Sequence, residues 1–467
     1  MRHLERRLIL LMMAAALLLP LRCQRASGGD KDPVDLEAEQ ALLSYLRIDT
    51  SNPPGNESAG AKYLQQLLVK EGIPAVLVGS DPARQSVYAR LTSGSSEKAL
   101  VLLHHIDVVP ANASEWTKPP FAGASSGGYL WGRGALDVKS LGIAELMAIV
   151  DLKRRNVPLR RDIIFLGVAD EEAGGIHGAR ELLEKHPELF AGAGYVLNEA
   201  GDNETIVDNV TFWGIEVQQK LPLWLRLHAH GVPGHSATPP SDGGTTAMLV
   251  RALASVDQIV TPYRLEPSIQ RFFHAAGARR RDAKGELLRD IAEPLDPALI
   301  ERVLPPGYRA MLHDTIVMTQ LRAGSSTNAI PANAWADLDI RLLPDETSDA
   351  MLERVRAAVG KNVRVEVLLE SPPVLESSTD TDLYRVMVRS MIADAPGSTV
   401  APIVSAGTSD SRYFRARGIT AYGIAPFRVN YYDADTVHGI DERIRARFFS
   451  QGVHLVRGIV RDFCARR

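Results

Sequence analysis

Short runs of Val, Ile, Leu and Ala, separated by amphipathic stretches, constrain this chain more than any other feature of its sequence. Ala99–Val109 (ALVLLHHIDVV), Ile163–Ala169 (IIFLGVA) and Tyr195–Leu197 read as strands, the first stopping at Pro110. Apolar side chains in succession, rather than in alternation, mean that both faces of such a strand must be covered. Leu141–Arg155 and Ile176–Lys185 carry helical periodicity, and the first ends in a basic last turn that suits the helix dipole. Strands and helices alternating in this way predict an α/β fold with a largely parallel sheet and helices on both faces.

At Leu221 the texture changes. Leu221, Leu223, Leu225 and Leu227 alternate with Trp224, Arg226 and His228, the period of a strand with one wet face. Val317–Leu321 and Trp335–Leu342 read alike, and Thr245–Ile259 reads as helix. Residues 221–343 are therefore expected to form a smaller α+β domain around an antiparallel sheet. After Pro344 a helix near Ala350–Val359, a strand Val363–Leu369 and a long terminal helix restore the α/β texture. The expectation is one α/β domain, residues 34–220 and 344–467, interrupted by the smaller one.

Composition narrows the class. Apolar residues at 45% and charged residues at 23% of 467 exclude a disordered chain, a collagen and a coiled coil. A net charge of −3 without a long basic run argues against nucleic acid as a partner. Two cysteines, Cys23 and Cys464, cannot make a disulfide framework. Arg2, Arg6 and Arg7 precede the apolar run Leu8–Leu21, which matches a signal-peptide core and is short for a membrane span. Export is expected, with residues 1–26 removed as a signal; the alternative is an uncleaved segment that holds the protein at a membrane. Four Asn-x-Ser/Thr sites, at Asn56, Asn112, Asn203 and Asn209, matter only in a host that glycosylates secreted proteins.

The chemistry concentrates where strands end. His105 and Asp107 share a face of the first strand, which suits a metal ligand and a residue that orients it; a structural His/Asp pair is the plainer alternative. Gly132-Arg133-Gly134 leads through Asp137 into a helix, where Asp137 is either a ligand or a simple N-cap, and the Walker spacing is missing. Asp170-Glu171-Glu172 is either a solvated acidic turn or a ligand beside a general base. Glu199 again follows a strand, and His438 closes a polar segment after Asp433 and Asp435. Imidazoles and carboxylates without thiolate suit zinc, manganese or cobalt.

These segments, in this order from about Glu37 to the C-terminus, resemble the M20 metallopeptidases, which include carboxypeptidases, aminoacylases, desuccinylases and secreted N-fatty-acyl-amino-acid hydrolases. The resemblance implies two zinc ions bridged by Asp137, with His105 and Glu199 completing one site and Glu172 and His438 the other. Asp107 would orient His105, and Glu171 would be the general base. Gly231 to Ala237 resembles the lid loop whose histidine, here His235, stabilises the oxyanion in a neighbouring subunit, which implies a homodimer. Asn328 and Arg341 resemble substrate-binding positions of the lid, and Arg412 the residue that holds a substrate carboxylate. The implied reaction is amide cleavage that releases an amino acid, from a peptide C-terminus or an N-acyl amino acid. A dipeptidase or aminopeptidase, or an inactive binding protein, are the alternatives. His104 stands where the family usually has glycine, and reads as a packed or hydrogen-bonded histidine.

Overall fold

The computed structural model describes residues 32–278 and 280–466; the expected signal segment, residues 1–26, lies outside them. A nine-stranded sheet carries the fold. Its order is Ala75–Val78, Ser86–Leu91, Ile163–Val168, Ala99–His105, Ala193–Asn198, Thr420–Gly423, Asn209–Gln219 and Thr399–Ser405, with Asp202–Ile206 pairing on Asn209–Gln219. The four central strands, from Ile163–Val168 to Thr420–Gly423, are parallel. The Ala75–Val78 edge is antiparallel, as is the junction of Thr420–Gly423 with Asn209–Gln219. All of Ala99–His105 and of Ile163–Val168 is buried, as their composition requires.

Helices close both faces. Lys139–Arg154 and the C-terminal helix Ala446–Cys464 pack together on one. On the other, Leu182, Leu183, Tyr413 and Phe414 join Val101, Leu103, Ile164 and Leu166 in one apolar cluster. Parallel strands place all their carboxyl ends on one edge of the sheet, and that edge is where an α/β fold presents its loops.

The second sheet has the order Thr315–Arg322, Asn333–Leu342, Leu221–His230 and Val363–Glu370, all antiparallel. Two sequence boundaries are corrected here. Val363–Glu370, expected in the α/β part, pairs with Leu221–His230, and Met351, Val355 and Val359 of the helix Ser348–Val359 pack with Leu223, Leu225 and Ile340. Conversely, Ile269, Phe272 and Phe273, inside the expected insertion, pack against Phe212, Ala401 and Ile403 at the far edge of the large sheet. Periodicity identifies an element but not the sheet that covers it, and neighbours in sequence are not neighbours in space for either segment.

Candidate metal centre

His105 ends its strand and is only 2% exposed. Its Nδ1 stands 2.9 Å from the Asp107 carbonyl oxygen, which can only accept, so Nδ1 donates and Nε2 faces Asp137 Oδ1 at 3.0 Å. Asp107 thus holds His105 chiefly through its main chain; the carboxylate is 3.7 Å away. That carboxylate instead accepts from the Glu171 and Glu172 backbone N–H groups, at 3.1 and 3.0 Å, and from Asn52 Nδ2 at 2.9 Å. Burial pushes it up to about 7. The end of one strand is thereby tied to the acidic loop that follows the next.

Asp137 does not cap the helix behind it: the helix starts at Lys139 without a side-chain cap. Its loop is held by Glu442, a buried carboxylate that accepts from Arg133 Nη1 at 2.7 Å and from the backbone N–H groups of Gly134, Leu136 and Asp137. Both carboxylate oxygens of Asp137 are left to face imidazoles. Burial opposes their charge, but hydrogen bonds to His105 and His438 prevail and hold the group well below the usual carboxylate range.

The three adjacent carboxylates divide by partner. Asp170, in the left-handed region at φ 72°, accepts from Arg84 Nη2 at 2.6 Å, from Asn52 and from the His177 N–H. Among the described residues, Glu171 and Glu172 have no such guanidinium within hydrogen-bonding distance. Burial and the neighbouring Glu199 hold Glu171 well above the ordinary range. Glu172 Oε1 is buried without a hydrogen-bond partner, while Oε2 lies 3.3 Å from His438 Nε2. Gly174 and Gly175, both at positive φ, turn the chain so that Glu171 and Glu172 stay at the sheet edge.

Glu199 follows the strand Ala193–Asn198, and burial raises its carboxyl to about 8. His438, also at positive φ, is 53% exposed on the rim; Asp137 and Glu172 draw it up to about 10. Two triads result, His105–Asp137–Glu199 and Asp137–Glu172–His438, each with one donor atom per residue and all within 4.8 Å of one another. Asp137 belongs to both. A carboxylate shared between two triads, a Glu199 carboxyl that burial raises, an orphaned Glu172 oxygen and an all-nitrogen-and-oxygen donor set fit two divalent cations.

His104, on the opposite face, is fully buried with Nδ1 2.9 Å from Glu145 Oε2, the packed histidine its pattern suggests. Burial takes it down to about 3 and raises Glu145 well above the usual carboxylate range. Its ring lies directly over Gly142, where a Cβ would come within 2.4 Å.

The remaining sequence candidates fall in two places. Arg412 is buried near the cluster: its guanidinium donates to the Ser409 and Gly174 carbonyls at 2.8 and 2.9 Å, and Nη1 lies 3.9 Å from Glu171 Oε1. Arg341 pairs with Asp339 and donates to Thr408 Oγ1 at 2.8 Å, in the same segment as Arg412. His235 and Asn328 sit instead by the exposed ribbon that pairs Gly234–His235 with Ala329–Ile330. His235 Nδ1 accepts from the Ala237 N–H, and Asn328 meets Ser236 and Ser326. None of these contacts reaches the cluster. Asn52, Arg84, Glu442 and Asp410 carry no signal of a role in the sequence; the first three bond to residues far along the chain. Asp410 is buried, with both carboxylate oxygens unpartnered among the described residues.

The chain matches the family model described as peptidase family M20/M25/M40 over residues 101–462. It is 32% identical over 358 residues to the N-fatty-acyl-amino acid synthase/hydrolase of Xenopus tropicalis, covering 74% of this chain and 68% of that one. To aminoacylase-1 of Sus scrofa it is 27% identical over 418 residues, covering 88% and 91%. In structure it resembles an M20 family metallo-carboxypeptidase of Sulfolobus solfataricus, at TM-score 0.72 and 21% identity, over 91% of this chain and 98% of that one. With a match spanning most of its length and an α/β sheet of that architecture, the chain belongs to peptidase family M20/M25/M40 and is a hydrolytic enzyme.

Proposed function

We propose that this enzyme is a dinuclear metal amidohydrolase that releases an amino acid with a free carboxylate from an N-acyl amino acid or a peptide C-terminus. The observation that carries the reading is the joining of two donor triads through Asp137, with the buried Glu171 beside them. His105, Asp137 and Glu199 would hold one zinc ion, and Asp137, Glu172 and His438 the other; cobalt and manganese fit the same donors. Bound there, the ions supply Lewis acidity to the amide carbonyl and to a water.

The chain's own residues do the rest. Glu171 takes a proton from the attacking water on its carboxylate and returns it to the leaving nitrogen; a carboxyl held above its ordinary range by burial suits both halves of that task. Asp107 fixes the Glu171 loop through two backbone N–H groups. Arg412 would bring positive charge to the side where a substrate carboxylate would lie, with Arg341, paired with Asp339, and Asn328 as lid contacts. His235 would serve the oxyanion of a second copy in a homodimer, since its contacts within its own chain lead nowhere near the cluster. Val317, Met318 and Leu321, exposed on the edge strand Thr315–Arg322, offer such a copy an apolar surface. Export through residues 1–26 completes the proposal. Among the described residues no helix is long and apolar enough to cross a membrane, and the mass of the chain recovered outside the cell tests the cleavage.

The deciding experiment measures amino-acid release from dipeptides, longer peptides and N-acyl amino acids, with and without a chelator. Release that a chelator stops and zinc restores is expected. Release that continues in protein shown to be metal-free would overturn the proposal, and so would a requirement for a free substrate amine.

A further inference from the structure

We propose that an apolar cavity of about 290 Å³ on the Asp137–Glu199 flank of the cluster takes the acyl group of the substrate. This assignment rests on the amidohydrolase reading above. Leu136, Leu141, Ile424, Phe427, Val429 and Val437 line it. Asp137 and Glu199 stand in its wall, so a chain lying in the cavity begins at the cluster.

Charge decides which end of the substrate enters. The cavity's ionisable lining residues are Asp137, Glu199 and Asp202, and none is basic. Such a lining offers an amino-acid carboxylate no guanidinium or ammonium to pair with, whereas Arg412, outside the lining, stands 3.9 Å from Glu171. The uncharged acyl end is left for the apolar side, where its transfer from water is favourable. At ~30 Å³ for a water-sized group, the cavity has room for roughly ten, which sets a medium-chain acyl group as the best fit.

The walls are built rather than collapsed. Asn203 Nδ2 donates to the Ala425 and Phe427 carbonyls at 3.1 and 2.7 Å, tying the two loops that flank the opening. Gly201 lets those loops approach, since a Cβ there would come within 2.5 Å of the Ala425 nitrogen. Phe427 stacks on Phe449 with centroids 5.7 Å apart and lies over Gly452, where a Cβ would meet its ring at 2.2 Å. Its ring is therefore a fixed wall.

Two series of substrates test this on the zinc-loaded enzyme: acetyl- to dodecanoyl-glycine, and acetyl-glycine to acetyl-phenylalanine. The expected result is a kcat/KM that rises about fourfold per methylene up to medium length and changes less across the amino-acid series. Val429→Trp or Ala434→Trp, each filling the cavity, should lower the octanoyl-to-acetyl ratio at least tenfold. Ala434 is exposed, so this variant keeps the test open if Val429→Trp does not fold. A flat acyl series with a steep amino-acid series would overturn the assignment, because the cavity would then hold the side chain; so would a wild-type ratio in both variants. Octanoate binding, followed by calorimetry, separates the two claims. If no acyl-glycine is cleaved but octanoate binds the wild type and not the variants, the reaction fails and the cavity assignment stands.

Discussion

The cluster at the sheet edge and the ribbon that carries His235 hold similar side chains in opposite settings. In the cluster, each donor is aimed by a group distant in sequence: Glu442 holds the Asp137 loop, and Asp107 holds both His105 and the Glu171–Glu172 loop. On the ribbon, His235 and Asn328 are exposed and bonded only to near neighbours or across two short strands. The first is closed within one chain. The second presents an imidazole to solvent, the setting that the proposed role of His235 in a second copy requires. A side chain's long-range partners thus separate residues that the chain itself aims from residues that it leaves facing solvent.

The largest expected effect breaks the cluster chemically without dismantling it. Glu171→Gln should lower turnover by ~10²–10⁴ while metal content, read by elemental analysis, stays at the wild-type value. Turnover near wild type would remove Glu171 as the base. Next comes the ribbon. His235→Ala should cost ~10²–10³ in kcat without lowering the thermal midpoint, since the ring is exposed and accepts one local hydrogen bond. Mixing this variant with Glu171→Gln should restore activity, up to roughly a quarter of wild type, because one site of each mixed dimer would carry both residues. Mixtures as inactive as their parents would place His235 outside any shared site.

A smaller effect concerns stability. Asp410 is buried and unpartnered, and burial raises its carboxyl from 3.8 to about 6. The folded chain therefore holds this proton more tightly than the unfolded chain. Stability is full below the unfolded value and is lost as the pH rises through the folded one. At neutral pH the cost is up to about 3 kcal/mol. Asp410→Asn should be more stable than wild type by that order in urea unfolding of the metal-free protein at pH 7, and equal to it near pH ~4. Equal stability at both values would mean that the cluster strains nothing around it.

Much of the cluster was legible because its geometry is local. Strand alternation alone puts His105 and Asp107 on one face, and each of Glu171, Glu172 and Glu199 follows an apolar run whose carboxyl end the fold must expose. What positions them was not legible. Glu442 acts about 305 residues from Asp137, and Arg84 reaches Asp170 across 86. Neither leaves a signal near the residue it serves. The same reason explains the misplaced strand Val363–Glu370: its pattern says that it is a strand, and only its partner Leu221–His230 says where.

The central claim is that two metal ions share Asp137. Counting bound zinc per chain by calorimetry in wild type and in Asp137→Asn, Glu199→Gln and Glu172→Gln tests it directly. The account predicts two ions in wild type, one strong site left when Glu199 or Glu172 is altered, and neither strong site when Asp137 is. Two tight ions in Asp137→Asn, or a single ion in the wild type, would contradict it.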